Sequence, residues 1–379
     1  MIRFNQPYLF GPELDNVEQA IDEGRLAGNG DFTKKCQRFF EERYGFKKCL
    51  LTTSCTDALE MAALLLNIQP GDEVIMPSYT FVSTSNAFVL RGANIVFADS
   101  CDNHPNLDAD EVSALINDKT RAIVVVHYGG VACDMDAIMR VAERHDLFVV
   151  EDAAQAIDAF YKSKPLGSIG HLAAFSFHET KNIVSGEGGM LVINDEQFVK
   201  RAEVIWEKGT NRAAFFRGEI DKYGWVDVGS SFLPSELVAA YLYGQLHYID
   251  VIQEKRRAVW NKYLEVFKPL ENKGLLELPV LPDYATNNAH VFYLVCKNGD
   301  ERGALLAHLK EKKIGAVFHY LSLHKSPFYH NKHDGRALPH ADRFSECLLR
   351  LPLHLHLTEE DLNYISNEVL AFYDNLKSI

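Results

Sequence analysis

Residues 121–152 read RAIVVVHYGGVACDMDAIMRVAERHDLFVVED, and this stretch is the basis for predicting the fold. The runs RAIVVVH and LFVVED at its two ends are apolar almost throughout, which is typical of strands covered on both faces. Between them, DMDAIMRVAERH (134–145) has the amphipathic pattern of a helix. A strand, a helix and a second strand of these lengths predict two parallel neighbours in one sheet.

The same alternation continues on both sides of this unit. Five further runs predict strands: CLLTTS, EVIMPS, NIVFAD, LAAFSF and GGMLVI. The helical patterns TDALEMAALLL (56–66) and DADEVSALIND (108–118) lie between the early runs. We therefore predict an α/β fold with a mostly parallel seven-stranded sheet, and we expect a ligand at the carboxyl ends of its strands.

The pattern changes after about residue 205. A long irregular segment (206–234) precedes a helical stretch from about Ser235 to Phe267, and long loops in compact domains are often functional. A strand at HVFYLVCK (290–297) and further helical patterns follow. We predict a large domain with an N-terminal arm over residues 1–245 and a smaller α/β domain over residues 246–379.

Composition excludes several classes of protein. The formal net charge of −13 argues against nucleic acid as a partner, because its phosphates repel an acidic surface. No apolar run approaches the ~18 residues of a membrane helix, and the first residues lack the apolar core of a secretory signal. The seven cysteines contain no CxxC pair, which favours a reducing compartment over a disulfide framework. We expect a cytoplasmic protein with no membrane partner.

Two predicted strand ends carry polar residues that a sheet does not require. TTSCTDALEMA (52–62) enters a helix with Ser54 and Asp57 at capping-box spacing. The free N–H groups of such a helix start can bind phosphate, although a capped helix without a ligand is the commoner arrangement. LFVVEDAAQA (147–156) ends in Glu151 and Asp152, and a buried carboxylate needs a partner that could be structural or functional.

A third strand end, SFHETKNIVSGEGG (176–189), places Lys181 just before a glycine-rich loop. The spacing is not that of the GxxxxGK[ST] phosphate loop. Lys181 could contact a phosphate as a point charge, or it could be an uncharged amine that forms a Schiff base with a carbonyl compound.

One ligand accounts for all three strand ends. Pyridoxal 5′-phosphate (PLP) needs an amine for its aldehyde, an anion beside its ring nitrogen and a site for its phosphate. Asp152 precedes Lys181 by 29 residues, enough for one excursion between neighbouring strands. Phe81 in PSYTFVSTSNA would stack on the ring, although an aromatic residue after a strand more often belongs to the core.

Several motifs resemble the sugar aminotransferases of the DegT/DnrJ/EryC1/StrS family: PSYTFVST, EDAAQ, SFHETKN followed by GEGG, EKGTNR and FFRG. The likeness covers essentially the whole chain and implies the fold-type I architecture of aspartate aminotransferase. Within the family, the likeness is greatest to the members that serve enterobacterial common antigen synthesis. The resemblance therefore implies amino transfer from L-glutamate to C4 of dTDP-4-keto-6-deoxyglucose, giving dTDP-4-amino-4,6-dideoxygalactose for surface polysaccharides such as O-antigen.

The resemblance also implies roles for single residues. Lys181 resembles the catalytic lysine, which bonds the coenzyme and then moves a proton between coenzyme and sugar. Asp152 matches the partner of the ring nitrogen. The other implied coenzyme contacts are Ser54, Cys55, Thr56, Phe81, Gln155, Ser176 and Ser231. The resemblance implies a homodimer with shared active sites. The chain departs from the family at Ser231, where the family often has an asparagine that reaches the neighbouring subunit's phosphate, but a serine hydroxyl can still donate to phosphate.

The diphosphate of a nucleotide sugar requires local cations in an acidic protein. The segment 207–225 supplies Lys208, Arg212, Arg217 and Lys222, and arginine suits bidentate phosphate contacts. Taken singly, each of these could equally be a solvated surface residue. The remaining predicted substrate contacts, which follow from the resemblance, are His178, His319, Tyr320 and His324. Four histidines lie close together between His319 and His333. No cysteine or carboxylate stands near them at the spacing of a metal site, so we expect no bound metal.

Other functions remain open from the sequence. A coenzyme-dependent sugar dehydratase of the same fold would have histidine in place of the lysine, so Lys181 argues against it. A non-catalytic regulator with this fold is possible. Cys55 paired with a histidine would indicate a hydrolase, but no supporting Asn or Asp pattern accompanies it. The acceptor could also be another keto-sugar nucleotide, such as a 3-keto sugar, or the product could be the 4-amino gluco epimer.

Overall fold

The computed structural model describes residues 1–376 of the 379-residue chain. Its helices, in chain order, are α1 (Pro12–Asp22), α2 (Asp31–Tyr44), α3 (Cys55–Leu65), α4 (Val82–Val89), α5 (Ala109–Leu115), α6 (Met135–His145), α7 (Val199–Trp206), α8 (Arg212–Phe216), α9 (Glu236–Leu246), α10 (Ile249–Asn272), α11 (Gly299–Glu311), α12 (Pro339–Cys347) and α13 (Glu359–Leu376).

Its strands are β1 (Lys48–Thr52), β2 (Glu73–Pro77), β3 (Asn94–Ala98), β4 (Thr120–Val126), β5 (Phe148–Asp152), β6 (Phe160–Tyr161), β7 (Lys164–Pro165), β8 (Leu172–Ser176), β9 (Gly189–Ile193), β10 (Leu276–Glu277), β11 (Phe292–Cys296), β12 (Val317–Phe318) and β13 (Leu348–Leu351). Single 3-10 turns lie at Tyr128–Gly130, Glu196–Phe198 and Leu323–Lys325. None of the helices within residues 1–376 combines the length and apolar character needed to cross a membrane.

The large sheet confirms the predicted α/β fold. Its seven strands lie in the order β1-β9-β8-β5-β4-β2-β3, and β9 alone runs against the others. Each strand is short and almost fully buried, because helices cover both faces. In β2, Val74 and Met76 face a cluster with α3, α4 and α7, whereas Ile75 faces a second cluster with α2, α6 and α9.

A second, antiparallel sheet has the order β10-β11-β13-β12. Phe292 and Leu294 of β11 pack with α10, α11 and α13 on one face. The alternate residues Tyr293 and Val295 join the core cluster of the large sheet. The small sheet therefore packs directly on the larger one, and a cavity between them is bordered by both.

The helical stretch predicted from about Ser235 to Phe267 is two helices, because α9 ends at Leu246 and α10 begins at Ile249. At the break, the ring of Tyr248 stacks on Phe10, with centroids 4.2 Å apart. The break lies close to the predicted division between residues 245 and 246. The division into two domains stays a prediction.

Candidate active site

A cavity of about 600 Å³ lies where the two sheets meet. Residues at or just after the carboxyl ends of β1, β2, β4, β5 and β8 line one side of it. Residues from β13, from the segment after β12 and from the N-terminal segment line the other. Parallel strands end together at one edge of a sheet, so this cavity lies where the sequence predicted a ligand.

Lys181 lies in this cavity, in the loop that joins β8 to β9. Its backbone N–H donates to His178 O at 2.9 Å, and Glu179 N donates to Gly186 O at 2.9 Å, where Gly186 adopts a φ of 82°. This tight loop holds the lysine between the two strands. Burial lowers the pKa of the Lys181 amine; Cys55 and Asp152 partly oppose this shift and the charge of Arg350 adds to it. A larger fraction of the amine is therefore uncharged near neutral pH than in an ordinary lysine.

Asp152 ends β5 on the floor of the cavity and is buried. Thr84 Oγ1 donates to its Oδ2 at 2.7 Å, and Ala154 N donates to its Oδ1 at 3.2 Å. Burial raises the pKa of the Asp152 carboxyl, although these hydrogen bonds and the charge of Lys181 oppose the shift. A positively charged ligand atom beside Asp152 would stabilise the carboxylate.

Glu151, next to Asp152, points the other way. Its carboxylate accepts hydrogen bonds from backbone N–H groups of Gly167, Ile169 and Gly170 at 2.6–2.8 Å, and from His127 Nε2 at 2.9 Å. Neighbouring side chains of a strand face opposite sides of a sheet. The hydrogen bonds of Glu151 are therefore structural, and of the two carboxylates only Asp152 lines the cavity.

The start of α3 lines the same cavity as Lys181. Ser54 caps the helix, accepting a hydrogen bond from Asp57 N at 3.0 Å, as the capping-box spacing predicted. The N–H groups of Cys55 and Thr56 belong to the first turn, where a helix offers no internal acceptors. A Cβ at Gly189 would overlap the backbone of Ser54 and Cys55. Glycine at this position therefore lets the helix start approach the sheet edge.

These groups fit PLP. An amine with a lowered pKa, a buried carboxylate and a helix start with hydroxyl groups nearby are the three partners that the coenzyme requires. Ser176, at the end of β8, also lines the cavity. Phe81 is 54% exposed and borders the same space, which suits a ring-stacking position better than a core position. The single assignments stay predictions.

Gln155 and Tyr320 connect the two sides of the cavity. Gln155 accepts a hydrogen bond from Gly129 N at 2.7 Å and donates to the Tyr320 hydroxyl at 3.1 Å. His319 Nδ1 lies 2.9 Å from the Tyr128 hydroxyl. Of the predicted substrate contacts, His178, His319 and Tyr320 line the cavity.

Five predicted site residues lie outside this cavity. His324 is buried against Ser78, with its Nδ1 2.7 Å from the Ser78 hydroxyl, and its Nε2 is 3.6 Å from Asp342. Ser231 is exposed, and its backbone forms an isolated antiparallel β-bridge with Glu207. The remaining three, Lys208, Arg212 and Arg217, are among the residues that line a separate cavity of about 550 Å³. Within residues 1–376, no three His, Cys, Asp or Glu side chains are grouped so as to hold a metal ion.

Sequence reasoning missed the residues that the small sheet and the N-terminal segment contribute. Arg350 of β13, Arg256 of α10, His290 and Phe4 all line the main cavity. Arg256 donates to the backbone oxygens of Ala289 and His290 at 3.1 and 2.8 Å, so its guanidinium joins α10 to the chain before β11. No motif marks these positions, because they reach the cavity only through tertiary packing.

The lowered pKa of Lys181 can be measured on the apoprotein. In an NMR titration of ¹³C-methylated lysines, we expect the Lys181 midpoint to lie below the ordinary value of about 10.4. Asp152→Asn should lower that midpoint further, because the Asp152 carboxylate raises the pKa of Lys181. The exposed Asp136, which pairs with Lys162, provides the control Asp136→Asn, which should leave the midpoint unchanged. A Lys181 midpoint at or above the ordinary value would contradict this electrostatic account.

Comparisons with known proteins agree on one family. A model of the DegT/DnrJ/EryC1/StrS aminotransferase family matches residues 10–370. Spore coat polysaccharide biosynthesis protein SpsC of Bacillus subtilis is 33% identical over 375 residues, covering 97% of this chain and 95% of SpsC. The structure of aminotransferase TlmJ from Streptoalloteichus hindustanus superposes with a TM-score of 0.91, at 29% identity over 100% of both chains. DesV of S. venezuelae gives a TM-score of 0.86 at 30% identity, covering 95% of this chain and 94% of DesV.

Proposed function

Because this chain belongs to the DegT/DnrJ/EryC1/StrS aminotransferase family, we propose that it transfers an amino group from L-glutamate to C4 of dTDP-4-keto-6-deoxyglucose. The product is dTDP-4-amino-4,6-dideoxygalactose. The chain is an aminotransferase and its coenzyme is PLP. The observation that carries the proposal is the pair formed by an amine of lowered pKa, Lys181, and the buried carboxylate of Asp152 in one cavity. The relative SpsC, a polysaccharide biosynthesis protein, supports a product destined for a surface polysaccharide.

A few residues in and beside the cavity have proposed tasks in this reaction. Bound PLP supplies an aldehyde and a ring that stabilises negative charge on a neighbouring carbon. Lys181 Nζ would hold the coenzyme through its aldehyde, and as an uncharged amine it would also accept and return a proton. Asp152 keeps the ring nitrogen protonated through its charge, and Thr84 orients that carboxylate. The start of α3 holds the phosphate.

The diphosphate of the sugar nucleotide requires cations, and the predicted ones lie outside the main cavity. The second cavity, lined by Lys208, Arg212 and Arg217, also contains Arg25, Lys34 and Lys48. It is separate from the cavity of Lys181 in the same chain. We place it at the active site of a second subunit, so that a homodimer shares two sites and Ser231 reaches the partner's phosphate.

Shared sites can be tested by complementation. Lys181→Ala and the double variant Lys208→Ala/Arg212→Ala would be co-expressed with different tags and purified through both. If each site takes Lys181 from one chain and the basic cavity from the other, both defects of the mixed dimer lie in one site and the second site is intact. The mixed dimer should therefore recover about half of wild-type activity. Dimers of either variant alone are the controls. A mixed dimer no more active than the double variant alone would show that each chain builds its own site.

The substrate is tested with a panel of dTDP-, UDP- and GDP-keto sugars and L-glutamate, with NMR of the aminated product. We expect the highest kcat/KM for dTDP-4-keto-6-deoxyglucose and an axial amine at C4. A higher kcat/KM for a 3-keto sugar would overturn the proposed substrate, and an equatorial amine would overturn the proposed product. In either case the reaction would still be an amino transfer. Absence of amination with every sugar would contradict the proposal that the acceptor is a keto-sugar nucleotide of this panel. The cytoplasmic location stays a prediction.

A further inference from the structure

The N-terminal segment, residues 1–8, starts on the small-sheet side of the main cavity. Ile2 forms a parallel β-bridge with Ile314, which belongs to the core of the small sheet. Ile2 N donates to Lys313 O, and Gly315 N donates to Ile2 O, both at 2.9 Å. A Cβ at Gly315 would lie 2.7 Å from Phe4 N, so glycine allows this close approach. The start of the segment is therefore fixed to the small sheet.

The same segment ends on the large-sheet side. Gln245 of α9 donates to Tyr8 O at 2.9 Å, and α9 packs in a core cluster of the large sheet. Between these two attachments, Phe4 and Asn5 line the main cavity. The Phe4 ring lies 4.7 Å from the guanidinium carbon of Arg350 on the small-sheet wall. The segment thus crosses the cavity from one wall to the other.

Asn5 contacts the loop that carries Lys181. Its Nδ2 donates to Glu179 O at 2.9 Å, two residues before the lysine. Glu179 N already donates to Gly186 O inside the loop. Within residues 1–376, Asn5 is the donor found for Glu179 O, and Glu179 is exposed, so core packing does not hold it. The Asn5 hydrogen bond therefore ties this side of the loop to the N-terminal segment.

The other side of Lys181 is held independently. The next residue, Asn182, is buried, and its Nδ2 donates to Gln253 Oε1 and to Asn288 O, both at 2.8 Å. Gln253 belongs to α10, and Asn288 precedes β11. Hydrogen bonds from two asparagine side chains thus bracket Lys181, a buried one after it and that of Asn5 before it.

We propose that Asn5 is a positioning residue for Lys181, an inference that rests on the proposed aminotransferase function. The amine must reach the aldehyde of PLP and later the carbon that exchanges a proton, and such steps are sensitive to displacements of about 1 Å. Without the Asn5 hydrogen bond, the exposed side of the loop at Glu179 is free to shift. Because Lys181 takes part with both substrates, Asn5 supports both halves of the reaction and binds neither substrate.

The kinetic test uses the holoenzyme and measures the two half-reactions separately by stopped-flow absorbance of the coenzyme. Asn5→Leu keeps roughly the shape of asparagine and removes the donor. We expect it to lower the maximal rate of both half-reactions by about tenfold. The concentrations of L-glutamate and keto sugar at half-maximal rate should change by less than about threefold. Asn5→Gln keeps an amide donor and should recover part of the rate.

The chain offers a matched control in Asn16 of α1, which donates to Ala240 O at 3.3 Å outside the cavity. Asn16→Leu removes the same kind of hydrogen bond and should leave both rates unchanged. Thermal unfolding and coenzyme absorbance establish that each variant is folded and loaded.

A structural measurement that needs no turnover completes the test. Hydrogen–deuterium exchange of the loaded protein should be about fivefold faster in residues 177–188 of Asn5→Leu than of wild type, because the loop hydrogen bonds open more often. Asn16→Leu should exchange in this loop as wild type does. Unchanged exchange in Asn5→Leu would overturn the proposal, and so would unchanged rates.

A higher half-maximal concentration for one substrate, at an unchanged maximal rate, would make Asn5 a substrate contact and also overturn the proposal. If wild-type enzyme aminates no sugar, the proposed function fails. The exchange measurement and the glutamate half-reaction would then still decide whether Asn5 positions Lys181.

Discussion

Lys181→Ala is expected to lower amino transfer from L-glutamate by about 10⁴-fold or more, because one side chain bonds the coenzyme and moves the proton. The structure places this amine in the same cavity as Asp152 and the start of α3. Initial rates with glutamate and the keto sugar measure the effect. Coenzyme absorbance measured in parallel should show that the variant no longer bonds PLP.

Lys181→Arg is the matched control for the lysine, because it keeps a cation of similar length but cannot form the bond. It should be as inactive as Lys181→Ala. Loss of activity through unfolding is not expected, since burial already disfavours the charged form of Lys181 in the folded chain. The apoprotein of Lys181→Ala should therefore unfold at a temperature no lower than wild type. A Lys181→Ala variant as active as wild type would refute the mechanism.

Asp152→Asn should lower amino transfer by about 10²-fold or more, the next largest loss we expect. Asparagine has the size of aspartate, and its amide oxygen can still accept a hydrogen bond from Ala154 N, but its NH2 group cannot accept the one that Thr84 donates. It also carries no charge to hold the ring nitrogen protonated. The measurement is kcat for the overall reaction, together with the affinity for PLP.

Two variants separate charge from position at Asp152. Asp152→Glu keeps the charge and moves it by one methylene, so it should retain more activity than Asp152→Asn. Thr84→Val removes the hydroxyl that donates to Asp152 and should cause a smaller loss than either, since Thr84 only orients the carboxylate. Activity of Asp152→Asn within about threefold of wild type would remove Asp152 from the mechanism.

The sequence predicted the large sheet and its site because the information is local. Apolar runs mark strands buried on both faces, and polar residues just after them mark the edge where parallel strands end. Ser54, Asp152 and Lys181 were predicted in this way, and all three line the same cavity. Glu151 and Asp152 could not be told apart until the structure showed that they face opposite sides of the sheet.

The wall formed by the small sheet could not be predicted from local pattern. Arg350 lies in LLRLPL, which reads as an ordinary strand, and only the packing of the two sheets brings it to the cavity. His324 illustrates the opposite case. It was selected with His319 and Tyr320 from one short segment, but the 3-10 turn at Leu323–Lys325 directs it to Ser78 instead.

Borohydride reduction followed by peptide mass mapping tests the central claim most directly. Reduction fixes PLP to whichever amine it is bonded to in the resting enzyme, so the modified residue reports the position of the coenzyme. We predict one labelled peptide, with the added mass on Lys181, and no labelling in Lys181→Arg. A label on any other lysine, or loaded enzyme with no label at Lys181, would contradict the site described above.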